Sequence, residues 1–157
     1  MFRSTRIAFI ALGALTFGLY THQALAADEP ANLIKYRQAI MKAIGGHMGA
    51  LGAVAKGEVS FTDEVVGHAH AINEMSKNLL RLFPEGSGYE IDKKSNVLPA
   101  VWERWTDFEA AVKALQDEST KMIAVAESGD AAAFGQQVGA LGRDGCTNCH
   151  DTFRYKE

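Results

Sequence analysis

The chain predicts an all-α fold, an antiparallel up-down-up-down four-helix bundle, and three observations carry that prediction. From residue 30 onward, apolar residues recur at spacings of three and four, the mark of a helix with one buried face. No segment alternates apolar and polar residues as a half-buried strand does. Start and stop signals cut the periodic stretch into four pieces joined by mostly short connections, and helices joined in that way pack antiparallel.

The first helix opens at Asp28, Glu29 and Pro30, where the missing proline N–H costs little. Its stripe is Leu33, Tyr36, Ile40, Ile44, His47, Leu51 and Val54, so it is expected over 30–56. Thr62, followed by Asp63 and Glu64, caps a second helix with the stripe Val65, Ala69, Ile72, Leu79 and Phe83, which ends near Pro84. A turn-rich stretch from Pro84 to Leu98 leads to Pro99, which opens the third helix. There Trp105, Phe108, Val112, Leu115, Ser119, Met122 and Ala126 keep the period until Gly129 supplies a left-handed stop. Asp130 caps the fourth helix, whose stripe is Phe134, Val138, Leu141, Gly145, Cys149 and Phe153.

Ahead of these helices, Arg3 and Arg6 precede an uncharged apolar run from Ile7 to Tyr20, and Ala24-Leu25-Ala26 supplies small residues at a cleavage site. Residues 1–26 therefore read as a secretory signal peptide cut after Ala26. The run is shorter than the roughly 20 apolar residues of a membrane span, so no stable span is expected after cleavage. One domain remains, 27–157, in the periplasm. Losing two arginines takes the formal charge from −3 to −3 − 2 = −5. An acidic surface argues against nucleic acid, which needs clustered cations to neutralise phosphates, and suits the choice of a redox partner protein.

Chemistry is concentrated at Cys146-Thr-Asn-Cys149-His150. A thioredoxin-like motif would sit beside a βαβ pattern, which is missing here. Structural zinc normally takes four Cys or His ligands, and beyond this motif the exported chain offers only His47, His68 and His70. A plain disulfide leaves His150 unexplained. The five-residue pattern is the attachment signature of haem c: each thiol of Cys146 and Cys149 adds to a vinyl group, and His150 is held under the iron as its proximal ligand. Spacings of three and four put all three residues on one helical face, so the haem is expected within the bundle, along the fourth helix.

Only seven residues follow His150, too few to fold back over a macrocycle, so a sixth ligand must come from upstream. At about 1.5 Å of rise per residue, Met41 in the first helix and Met75 in the second fall nearest the depth of His150, in that order, while Met122, His68 and His70 fall towards the other end. Met41 is then either an axial ligand or a flexible residue filling core space. Phe83, Trp102, Trp105 and Phe108 gather at the same end and are expected to wall the cofactor. Burial of that kind disfavours the ferric charge and raises the reduction potential.

The C-terminal motif, Lys35-Tyr-Arg-Gln38, Phe83-Pro-Glu-Gly-Ser87, Trp102, and Arg154 four residues after the haem His together resemble the class II c-type cytochromes, the cytochrome c′ family, over the whole of 27–157. The resemblance implies that Arg37 and Gln38 reach the haem propionates, that Arg154 lies beside the proximal His, and that Met41 holds the distal position. Members with a non-ligating residue at that position are five-coordinate; low-spin relatives bind iron through a Met there. Read from the residues alone, Arg37 shares the face of Met41 and wants an anion, or else pairs at the surface with Glu29. Arg154 meets the haem edge or favours the negative end of the fourth helix.

The first helix also carries Gly45, Gly46, Gly49 and Gly52, each costing about 1 kcal/mol relative to Ala. Either close packing within the bundle or a second subunit offsets that cost, and the resemblance implies a homodimer. The expected function is electron transfer through one haem c, with binding of nitric oxide or carbon monoxide at an open distal face as the alternative. A peroxidase ranks last, since it would want an acid or base near the iron and His47 lies about 9 Å of rise beyond Met41.

Overall fold

The computed structural model describes residues 29–156; the expected signal peptide, 1–26, lies outside them. Six α-helices follow one another: α1 (Pro30–Ala55), α2 (Val65–Ser76), α3 (Ala100–Glu103), α4 (Trp105–Ser128), α5 (Ala131–Ala140) and α6 (Asn148–Phe153). A π-helical segment, Leu141–Thr147, joins α5 to α6 without a gap. There is no strand among the described residues, only a single antiparallel bridge between Val97 and Arg154. The four expected columns are α1, α2, α3 with α4, and α5 with the π segment and α6.

The packing faces form where the apolar period puts them. In α4, Phe108, Val112, Leu115, Ser119, Met122 and Ala126 are all buried. They meet Leu51 of α1, Ala69 and Ile72 of α2, and Phe134, Val138 and Leu141 of the C-terminal column in one core. Polar bonds fix the register of α2 on α4. Asn73 donates from Nδ2 to the Ser119 and Thr120 hydroxyls at 3.0 Å each, and Gln116 donates to the Ser76 carbonyl at 3.1 Å, closing the open end of α2. Gly129 stops α4 with φ 71°, and the Asp130 side chain accepts from the N–H groups of Ala132 and Ala133, as the stop and cap signals require.

Several expectations are corrected. Glu64, not Thr62, is the residue before α2, and no side chain caps it. Instead of continuing to Pro84, α2 ends at Ser76, and Leu79 and Phe83 are buried from a separate 3₁₀ turn region around Leu80–Leu82. The third column breaks at Arg104, φ −129° and ψ 48°. In α1 the buried residues are Ile34, Arg37, Ile44 and Leu51, whereas Tyr36 is 57 % exposed; the expected stripe is one position out of phase at its start. The interior of that half of α1 is partly polar, and a count of apolar residues alone finds the wrong face.

Candidate haem site

The breaks lie at one end of the bundle, and a cavity of about 550 Å³ opens there between α1, α4, the C-terminal column and the loop that follows α2. The size falls within the roughly 300–1,000 Å³ of cofactor pockets. Cys146, Cys149 and His150 line one wall; Met41 and Met48 of α1 line another; Phe83, Val101, Phe108, Val112 and Leu115 supply apolar surface. Arg37, Lys42 and Arg154 bring positive charge to the lining, with Gln38, Ser95 and Asn96 as its neutral polar residues. The arrangement suits an amphipathic macrocycle with carboxylate arms, its ring against the apolar wall and its acids near the cations.

The π segment explains how the C-terminal column reaches this wall. Leu141, Gly145, Cys149 and Phe153 are spaced by four throughout, and over twelve residues a straight α-helix would drift by about 120° from one face. An extra residue in a π turn removes that drift, so Leu141, Gly145 and Phe153 stay buried while Cys146 and Cys149 border the cavity. Gly145 permits the approach to α4: a Cβ there would lie 3.3 Å from the Leu115 Cα and 3.0 Å from the Leu141 side chain.

Arg37 is 2 % exposed. Its Nη1 donates to the Leu82 carbonyl and the Ser87 hydroxyl, both at 2.9 Å; its Nη2 donates to the Ser87 carbonyl and the Ser95 hydroxyl, both at 2.7 Å. The guanidinium also lies over the Phe83 ring, 4.8 Å from its centroid. Burial pushes its pKa down from 12.5 to about 10, which leaves it charged at neutral pH. All four hydrogen-bond acceptors are neutral, so this buried cation lacks a carboxylate within the chain's own bonds to it, and Nε takes no part in them. Gln38 donates to the Lys94 carbonyl. Around the same loop, Leu98 N–H donates to the Phe153 carbonyl at 3.0 Å and Tyr155 N–H to the Asn96 carbonyl at 2.9 Å, which ties the C-terminus down beside Arg154.

Burial raises both thiols, that of Cys149 to about 11 with the charge of Cys146 adding to the effect. Both are therefore thiols at neutral pH, slow to form a disulfide. Partial burial, and then the charge of Arg154, lower the His150 pKa against Asp151, which favours the neutral imidazole that binds metals.

Met75, second choice for the distal side, packs against the core and does not border the cavity. Nor do the two tryptophans. Trp102 donates from Nε1 to the Phe83 carbonyl at 2.9 Å and covers Gly88, where a Cβ would lie 2.7 Å from its ring; Trp105 packs on Phe108 with the ring planes tilted by 50°. Sequence reasoning names Ser87 only as the end of a loop motif, without a role, and misses Ser95; these two serines fix Arg37. Isolated serines in a polar loop have no period to betray them.

A model of the family described as cytochrome c′ matches residues 32–154. The chain belongs to the cytochrome c′ family. It is 35 % identical over 144 residues to a cytochrome c′ of Rhodospirillum rubrum, covering 92 % of this chain and 93 % of that one. To a cytochrome c-554 of Cereibacter sphaeroides it is 33 % identical over 148 residues, covering 92 % and 95 %. Solved structures of cytochrome c prime from Alcaligenes xylosoxidans, among them a nitric oxide complex and a carbon monoxide-bound variant, match with TM-score 0.72 and 25 % identity over 82 % of this chain and 98 % of theirs. The four-helix bundle and a single covalent haem c with iron are those of cytochrome c′ proteins.

Proposed function

We propose that this chain is an exported monohaem electron carrier, with Cys146 and Cys149 as the attachment thiols, His150 as the proximal ligand and Met41 beside the iron on the distal side. The observation that carries this reading is the single cavity in which α1 presents Met41 and the C-terminal column presents the two thiols and His150. Once bound, the haem supplies an iron that passes one electron between ferrous and ferric states. The chain does the rest. The two cysteines clamp the cofactor, so it is not lost from a compartment that cannot easily resupply it. His150 meets the metal as a neutral imidazole. Phe83, Phe108 and Leu115 exclude water from the ring and so favour the less charged ferrous state. Arg37, with Nε unused by its four bonds, offers its charge to a propionate, and Gln38 and Arg154 stand beside the same cavity.

Three further parts of the reading have their own support. The leader with Ala24-Leu25-Ala26 and a haem attachment motif both fit a periplasmic protein cleaved after Ala26. No helix of the described residues is long and apolar enough to cross a membrane. Gly46 and Gly49 of α1 are exposed, and a Cβ at Gly45, Gly46, Gly49 or Gly52 would meet nothing within 4 Å. Gly45 borders the haem cavity, but close packing inside this bundle does not explain Gly46 and Gly49, which favours a homodimer across α1.

A second reading, gas binding at an open distal face, draws on the nitric oxide and carbon monoxide complexes of the Alcaligenes relative. The ferric optical and electron paramagnetic resonance spectra of wild type and Met41→Ala separate the two. A low-spin wild type that turns high-spin in the variant supports ligation by Met41. A wild type already high-spin, which takes up carbon monoxide when reduced, overturns ligation and leaves Met41 as a steric gate.

A further inference from the structure

Outside the haem cavity, two half-buried histidines face each other across the contact of α1 with α2. His47 Nδ1 and His68 Nδ1 stand 2.8 Å apart, with ring centroids at 5.1 Å and ring planes tilted by 51°. Neither residue borders the cavity. Glu64, one turn before His68, holds its Oε2 at 3.9 Å from His68 Nε2. At 3.9 Å this is an ion-pair distance rather than a hydrogen bond, and a carboxylate on that side favours the proton on Nε2, which makes Nδ1 of His68 the acceptor toward His47.

We infer that His47 and His68 form a two-imidazole chelate for a divalent transition cation, copper(II) first, at the α1–α2 seam. Imidazole nitrogens suit copper and nickel, whose square-planar geometry sets neighbouring donors at a right angle. With metal–nitrogen bonds of about 2.0 Å, two such donors stand about 2.8 Å apart, whereas tetrahedral zinc would spread them to about 3.3 Å. The observed 2.8 Å, spanned here by an N–H···N hydrogen bond, is also the square-planar value, so the two nitrogens need not move apart to take the metal. The proton now shared between the two Nδ1 atoms moves to Nε2 of His47 or to solvent, and the metal takes its place. No set of three or more His, Cys, Asp or Glu among the described residues is placed to hold a metal, so the remaining positions belong to water or a small ligand. Copper leads this series of metals in affinity for nitrogen donors.

The test uses the purified holoprotein, freed of metals by a chelator and titrated with copper(II) alone by calorimetry and electron paramagnetic resonance. One equivalent should bind with nitrogen hyperfine structure from the pair. His47→Ala and His68→Ala should each weaken that binding at least tenfold, and so should His47→Gln and His68→Gln, which keep more of the side-chain volume. His70→Ala is the control, because His70 is exposed and pairs with Glu127 at 3.8 Å instead; it should bind copper as wild type does. A wild type that binds no copper, or pair variants that bind it undiminished, overturns the site.

Discussion

The two ends of the bundle are built on different terms. At the far end the C-terminal half of α1, with α2, the later turns of α4, and α5, runs as unbroken α-helix around Leu51, Ile72, Met122 and Phe134. At the haem end every column except α1 departs from the α-helix: the 3₁₀ turn after α2, the break at Arg104 and the π segment that contains Cys146. Regular helices pack ridge into groove and leave little space between them. Each irregularity turns a backbone segment aside, and together they enclose about 550 Å³ within a single small domain. Both ends bury apolar side chains, and only the irregular one also encloses a site.

That division can be broken by matched truncations. Phe108→Ala, at the haem end, removes a ring that packs on Phe83, Trp105 and Phe153, and should cost about 4 kcal/mol in guanidinium chloride melts and also change the haem spectrum. Met122→Ala, fully buried at the far end, should cost about 3 kcal/mol and leave the spectrum as it is. Equal spectral changes in both would mean that the two ends are not separable.

Arg37→Leu sharpens the account of the haem end. It strands the Leu82 and Ser87 carbonyls in a buried site, so a loss of about 3 kcal/mol is expected, with faster proteolysis of the 83–98 loop. A variant as stable as wild type would show that the loop holds itself. The smallest effect belongs to Gly145→Ala. Overpacking against Leu115 costs about 2 kcal/mol and better helix propensity returns about 1, so the net loss is about 1 kcal/mol in the same melts. A stabilised variant would mean that α4 yields to the added methyl.

The regular end was legible from apolar spacing because burial alone decides it: the α4 row from Phe108 to Ala126, the Gly129 stop and the Asp130 cap stand where the period puts them. The haem end was legible only in part. Cys146, Cys149 and His150 carry a motif with its own chemistry, and Met41 follows from helical rise, so the sequence brings them to one end and the cavity joins them. Apolar spacing misses the start of the α1 face because a charged residue, Arg37, is buried there beside Ile34 while the aromatic Tyr36 is exposed. The π segment left a signal in the unbroken spacing of four from Leu141 to Phe153, which exceeds the 3.6 residues of an α-turn. The break at Arg104 and the early end of α2 left none, since tertiary packing outweighs the helix propensity of both stretches.

The central claim is that one haem is bonded through Cys146 and Cys149. Tandem mass spectrometry of a proteolytic digest of the native protein, beside extraction of the intact protein with acidified organic solvent, tests it most directly. The account predicts a haem mass on one peptide carrying both cysteines, with the colour remaining in the protein phase. A haem that passes into the solvent, leaving that peptide with two free thiols, would contradict it.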